Sequence, residues 1–223
     1  RCLHPRSVPA QQQGRVRMTA RIAAAFISAG VIVGLLIFGG GDVAMAHALR
    51  DVDPAAKRIA GWVTRAGDPT PYLVAAALAG AYLFLDRRGD AAWRAAGFCF
   101  AAIVASGIIV NVLKFFFGRT RPGVLFDRGV VEFMGPTLDS AIRSFPSGHA
   151  ATVGAVATLA WIFLPRLRWA ALAFALVVGA SRLVVGYHFA SDVIAGLLVG
   201  WGSVALPRLA FARRGWWPVA HAA

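Results

Sequence analysis

The stretch that decides the fold is residues 95–117, AAGFCFAAIVASGIIVNVLKFFF. It carries one charged side chain, Lys114, near its end. A helix needs about 20 apolar residues to cross the ~30 Å hydrocarbon core of a bilayer, and this segment is long enough. It shows no two-residue alternation of apolar and polar positions, which favours a helix over a strand. The segment therefore predicts a transmembrane helix.

Five further apolar segments flank it, at residues 22–39, 72–85, 150–164, 169–185 and 193–206. Of the 223 residues, 58% are apolar and 15% are charged, which is too few charges for the surface of a soluble domain. We predict an all-α integral membrane bundle of six transmembrane helices, forming a single domain over residues 18–215. Residues 44–66 mix apolar and charged positions and predict a short amphipathic surface helix.

Both ends of the chain are expected to lie outside this domain. Residues 1–17 predict a basic tail that is disordered or vector-derived, and residues 216–223 predict a C-terminal tail. The early arginines followed by Ala44-Met45-Ala46 also resemble a cleavable signal peptide. The apolar run between them is longer than the 7–15 residues typical of such peptides, so we expect the first helix to be retained.

The formal charge of +13 is distributed unevenly over this arrangement. With a cytoplasmic N-terminus and six crossings, the inner segments hold 13 arginines and two aspartates, a net charge of +11. The outer side holds ten bases and eight acids, a net charge of +2. Because basic residues concentrate on the cytoplasmic side, both termini are predicted to be cytoplasmic. The arginines lie in short pieces beside helix ends, which argues against a nucleic-acid partner.

Candidate site residues gather at the outer ends of the last four predicted helices. They are Lys114, Arg121, Ser147, Gly148, His149, Arg182, His188 and Asp192. Each has a structural explanation of its own: Lys114 can snorkel to the interface, Ser147 can cap its helix, and Arg182 can pair with Asp192. Ionisable groups at this depth are costly and mark functional sites, and these all face one compartment. Together they predict a single site.

The three bases in this group suit phosphoryl transfer without a metal. Lys114, Arg121 and Arg182 can bind the oxygens of a phosphate and stabilise its charge in the transition state. The amides of residues 147–149 at a helix N-terminus are expected to be exposed and to add an anion site, and Gly148 permits close approach.

The two histidines and the carboxylate supply the remaining chemistry. A neutral His188 can attack phosphorus if its far ring nitrogen is held, and Asp192, one helical turn later, can hold it. His149 can protonate the leaving oxygen and then activate water.

These residues follow a three-part motif, Lys114-x6-Arg121-Pro122, Pro146-Ser147-Gly148-His149 and Ser181-Arg182-x5-His188-x3-Asp192. The motif resembles the signature of the phosphatidic acid phosphatase type 2 family, which shares its core with vanadium haloperoxidases and bacterial acid phosphatases. The resemblance implies a phosphohistidine on His188, a relay by Asp192 and acid–base work by His149. It also implies phosphate binding by Lys114, Arg121, Ser147, Gly148 and Arg182, and no metal or other cofactor.

Three other readings remain open on sequence. A haloperoxidase would hold vanadate in the same pocket, but such relatives are soluble as a rule. An anion transporter would place polar groups at several depths, whereas these cluster at one end. A catalytically silent member of the same fold would act as a scaffold or regulator, and the complete set of catalytic residue types argues against it.

The expected partners are the bilayer and a lipid phosphate substrate, and the sequence does not predict the oligomeric state. Candidate substrates are undecaprenyl pyrophosphate, phosphatidylglycerophosphate, phosphatidic acid and lipid A phosphate. We expect a bacterial inner-membrane protein whose site faces the periplasm.

Overall fold

The computed structural model describes residues 10–86 and 89–217, and within that part of the chain it is helical, with no strand. The α-helices are α1 (Ala10–Phe38), α2 (Gly41–Arg50), α3 (Pro54–Thr64), α4 (Pro69–Leu85), α5 (Asp90–Phe117), α6 (Pro122–Arg128), α7 (Gly148–Phe163), α8 (Arg168–Val184), α9 (Ala190–Ser203) and α10 (Ala205–Arg213). The predicted all-α class is confirmed over these residues. Residues 1–9, 87–88 and 218–223, which include parts of both predicted tails and of one inner turn, lie outside the described residues. Helix α1 begins inside the predicted N-terminal tail.

The helices are those of an integral membrane protein. Three stretches are long and apolar enough to cross a bilayer, at Asp90–Phe117, Pro165–Val184 and Ala190–Arg213. The pair α1 and α2, bent by 68° at the break between them, would add a fourth, and α7 is a shorter apolar helix. The described residues thus hold three or four candidate spans, and the count of six stays a prediction.

The predicted surface helix over residues 44–66 is two helices, α2 and α3, so the expectation of a single helix was wrong. The chain breaks at Asp53, whose Oδ1 accepts a hydrogen bond from the amide of Ala55 at 2.7 Å. Pro54 follows as the first residue of α3, where its missing N–H costs nothing. A proline at this point cannot continue a helix from α2, because it would clash with the preceding turn.

Helix α7 lies at the centre of the bundle, where it packs against α5, α8 and α9. Its backbone approaches that of α9 closely at Gly196 and Gly200, where an added Cβ would collide with the carbonyl oxygens of Ser147 and Ala151. Small residues are what allow helices to pack this tightly in a membrane. The contact brings the first turn of α7 against the first turn of α9, and both turns carry predicted site residues.

The two ends of the bundle differ in chemistry. At one end arginines stack on tryptophans: Arg168 lies 5.4 Å from the ring centre of Trp161, and Arg208 lies 5.1 Å from that of Trp217. Tryptophan and arginine of this kind are typical of a membrane interface. The predicted site residues lie at the opposite ends of α5, α7, α8 and α9.

Candidate active site

The site is organised around the pair His188 and Asp192. His188 lies in the turn between α8 and α9, and Asp192 lies in the first turn of α9. Nδ1 of His188 is 3.5 Å from Oδ2 of Asp192, and both side chains are buried. The same carboxylate oxygen accepts a hydrogen bond from the amide of Phe189 at 2.8 Å, which fixes the carboxylate beside the turn.

Ser144 links the pair to the loop that precedes α7. Its hydroxyl donates to Oδ2 of Asp192 at 2.6 Å and lies 3.4 Å from Nδ1 of His188. Burial lowers the pKa of His188 to about 4, and its hydrogen bond with Asp192 opposes that shift. The imidazole is therefore neutral at neutral pH, as a nitrogen nucleophile must be.

A buried charge network that the sequence did not predict holds the other side of Asp192. Arg119 donates from Nη1 to Oδ1 of Asp192 at 2.6 Å and to the hydroxyl of Ser191 at 2.7 Å. Its Nη2 donates to Oδ2 of Asp42, on α2, at 2.8 Å. Asp42 also accepts from the amide of Ser191 at 2.9 Å and from its hydroxyl. The network ties α2 to the start of α9 through one guanidinium.

Arg119 is the centre of this network and is completely buried. Its guanidinium lies between two aromatic rings, 4.4 Å from the centre of Phe189 and 5.2 Å from that of Phe133. Arg119 lies two residues before Arg121 in the sequence. An arginine beside a motif is usually interpreted as a solvent-exposed charge, so its buried role was not predicted. Arg182 donates to the hydroxyl of Thr64 at 2.7 Å, so the alternative that pairs Arg182 with Asp192 was wrong.

The three predicted phosphate-binding bases converge on the same end of the bundle. Lys114 interacts electrostatically with Arg121, Arg182 and Asp192, and Arg121 interacts with Arg182. Nε of Arg121 donates to the carbonyl of Ser140 at 2.9 Å, and burial lowers the pKa of this guanidinium. Several like charges held together in a partly buried site create a strong attraction for an anion.

The start of α7 differs in one respect from the sequence expectation. The backbone amide of Ser147 donates to the carbonyl of Asp192 at 2.9 Å, so the prediction that this amide is exposed was wrong. Its hydroxyl caps the helix, accepting from the amide of Ala150 at 3.4 Å. Ser147 thereby locks α7 to α9, and Gly148 lies close to the side chain of Lys114.

His149, in the same turn, lies close to Gly67 and Asp68, in the turn before α4. It interacts electrostatically with Asp68, Lys114 and Arg182. A Cβ at Gly67 would lie 2.7 Å from Cβ of His149 and 2.8 Å from Cδ2, so only glycine fits against this ring. The structure thus brings all eight predicted residues to one site. Among the described residues, no group of three or more His, Cys, Asp or Glu side chains is arranged to hold a metal.

Substituting Gly67 by Ala should displace the His149 ring. We expect Gly67→Ala to lower kcat by about 10- to 100-fold, because a shift near 1 Å in a reacting group has a cost of this order. Phosphate release from the lipid phosphate substrate that the sequence predicts, assayed with the purified variant, measures the effect. Gly61→Ala is the matched control, since a Cβ there meets nothing within 4 Å. If the two variants had equal activity, the contact between Gly67 and His149 would not position the His149 ring for catalysis.

Residues 94–216 match the profile of the PAP2 superfamily, more than half of the chain. A lipid A 1-phosphatase of Rhizobium johnstonii is 42% identical over 118 residues, which are 53% of this chain and 48% of that protein. The chain thus spans about half the length of this relative.

Two solved structures have a similar fold. A transmembrane PAP2-type phosphatidylglycerolphosphate phosphatase from Bacillus subtilis superposes with a TM-score of 0.64, covering 86% of this chain and 96% of that chain at 22% identity. LpxE from Aquifex aeolicus superposes with a TM-score of 0.56, covering 75% and 94% at 22% identity.

Proposed function

This chain belongs to the PAP2 superfamily, and from that premise we propose that it hydrolyses the phosphate of a membrane lipid through a phosphohistidine. The observation that carries the proposal is the buried, neutral His188 held by Asp192 beside three converging bases. That combination offers a nucleophile, its support and a phosphate-binding site in one place.

In the first step Nε2 of His188 attacks phosphorus. The new P–N bond forms as the bond between phosphorus and the lipid oxygen breaks, and His149 donates the proton that the leaving oxygen takes up. Asp192 stabilises the positive charge that develops on the His188 ring. Lys114, Arg121 and Arg182 hold the phosphoryl oxygens throughout.

In the second step water removes the phosphoryl group. His149, now neutral, accepts a proton from the water whose oxygen attacks phosphorus, and the P–N bond breaks. The products are inorganic phosphate and the dephosphorylated lipid, and both histidines return to their starting states. Gly148 and His149 contribute their amides to the phosphate site in this scheme, while Ser147 holds the helix in place.

We propose an acylated glycolipid of the lipid A type, phosphorylated at its 1-position, as the first substrate to test. The support is the similarity to the Rhizobium johnstonii lipid A 1-phosphatase over 118 residues. Undecaprenyl pyrophosphate, phosphatidylglycerophosphate and phosphatidic acid stay as alternative substrates.

We propose that the chain crosses a bacterial inner membrane six times, with α1, α4, α5, α7, α8 and α9 as the crossings. The site would then face the periplasm and both termini the cytoplasm. The stacked tryptophans and arginines at the end of the bundle opposite the site support this orientation, since arginine concentrates on the cytoplasmic side.

Release of inorganic phosphate tests the proposed function. The purified protein in detergent, with a chelator present, is given lipid A 1-phosphate, phosphatidic acid, phosphatidylglycerophosphate and undecaprenyl pyrophosphate in parallel. We expect release from at least one of them, and fastest from lipid A 1-phosphate. No release from any of the four by a folded, monodisperse preparation would refute the proposal and favour a silent member or a transporter.

A further inference from the structure

An apolar groove of about 690 Å³ lies along α4 and α5 and reaches the loop that precedes α7. Its lining includes Leu73 of α4 and Ile108, Val112 and Phe116 of α5. Ile108 is 59% exposed and Phe116 is 60% exposed, so the groove opens towards the membrane. A groove of this size and polarity suits a hydrocarbon chain.

The polar side chains in its lining are Asn111 and Arg143. The amide nitrogen of Asn111 donates to the carbonyl of Gly107 at 2.9 Å, which turns its Oδ1 towards Arg143. That oxygen accepts from Nη2 of Arg143 at 3.1 Å. Nε of Arg143 is buried and has no hydrogen-bond partner within the described part of the chain. The same holds for Nε of Arg94, Arg119 and Arg182, so this atom alone does not mark a ligand site. What distinguishes Arg143 is that Asn111 holds its guanidinium at the edge of an apolar groove, where a half-buried arginine can donate to a ligand.

Arg143 is also joined to the phosphate site. Nζ of Lys114 donates to the carbonyl of Arg143 at 2.7 Å, and Lys114 follows Asn111 by three residues on the same face of α5. Arg143 therefore lines the groove with its side chain and contacts the phosphate-binding lysine with its carbonyl, so the groove and the site adjoin at this residue.

We propose that Asn111 and Arg143 form a subsite for the carbonyl oxygen that joins an acyl chain to the phosphate-bearing headgroup. The chain itself lies in the groove. In an acylated lipid the ester or amide carbonyl is the acceptor between chain and phosphate, and Arg143 likewise adjoins both the groove and the phosphate-binding lysine. The inference rests on the proposed function and specifies its substrate class as acylated lipid phosphates, since polyprenyl phosphates carry no such carbonyl.

A matched pair of substrates tests the subsite. Diacylglycerol phosphate and dialkylglycerol phosphate of equal chain length carry the same phosphate, but the ether lipid lacks the carbonyl oxygens. We expect the wild-type protein to favour the ester lipid by about tenfold in kcat/KM, mainly through KM, because a hydrogen bond to a charged donor has an effect of this order. Arg143→Gln should bring the ratio close to one.

Arg128→Gln is the control, because Arg128 is an exposed arginine of α6 on the same side of the protein. It removes the same charge and should leave the ratio unchanged. A wild-type ratio near one would overturn the subsite without any variant, and so would an equal ratio in wild type and Arg143→Gln. Phosphate release from neither glycerolipid would overturn the subsite as stated for acylated lipid phosphates. The proposed function would fall with it only if the four lipids tested above also gave no release.

Discussion

Replacing His188 by Asn should lower kcat by at least about 10⁴-fold, the scale on which removal of a catalytic nucleophile acts. The asparagine amide cannot attack phosphorus, and within residues 10–86 and 89–217 no second imidazole is placed against Asp192 to take over. Binding of inorganic phosphate should survive, because Lys114, Arg121 and Arg182 are untouched. Phosphate release from the preferred lipid measures the first effect, and calorimetric titration with inorganic phosphate measures the second.

His47→Asn provides the control for this substitution. His47 lies on α2, is exposed, and packs edge-on against Phe126 with ring centres 5.6 Å apart. The His47→Asn substitution makes the same change of side chain outside the site. Activity should therefore stay within about twofold of wild type. A His188→Asn protein that kept more than a tenth of wild-type kcat would remove His188 from the nucleophile role.

Among the single substitutions proposed for this protein, Arg119→Leu should cause the largest fall in the free energy of unfolding. The change leaves the carboxylates of Asp42 and Asp192 buried without the guanidinium that joins them. Breaking a buried pair in this way costs about 3–5 kcal/mol, because an uncompensated charge remains out of water. For a chain of this size that corresponds to a fall on the order of 10 °C in the thermal unfolding midpoint in detergent.

A second substitution separates this cause from loss of packing. Adding Asp42→Asn to Arg119→Leu removes one of the two stranded charges, so the double variant should recover part of the midpoint. Arg128→Leu, at an exposed arginine, should leave the midpoint unchanged. If Arg119→Leu behaved like Arg128→Leu, the buried network would contribute nothing to stability.

The parts of this protein that could be predicted from sequence are those determined by local patterns. Four of the six apolar segments are helices within about five residues of their expected bounds, because hydrocarbon length and apolar composition are read directly along the chain. The first helix begins at Ala10, well before the expected residue 22, and the last segment is divided between α9 and α10. The candidate site residues could be proposed because residue type and motif spacing carry the chemistry, and their roles stay a prediction. Their convergence followed from placing them all at one end of an antiparallel bundle.

Contacts between residues that are far apart in the sequence could not be predicted. Arg119 and Asp42 are 77 positions apart, and neither has a pattern that names the other as its partner. The amide of Ser147 was expected to face the phosphate, but it meets the carbonyl of Asp192, because close packing of α7 on α9 brings the two backbones together. The break between α2 and α3 did have a local signal at Asp53-Pro54, which the amphipathic pattern on either side obscured.

The central claim is that phosphate passes through His188, and detection of the phosphorylated residue tests it most directly. The wild-type protein is mixed with its preferred lipid phosphate, quenched in alkali at times within the first turnover, digested and examined by mass spectrometry. We predict one phosphoryl group on the nitrogen of His188, which appears before free phosphate and disappears as phosphate is released. A phosphoryl group on a different residue, or full turnover with no phosphorylated residue at any time, would contradict the account.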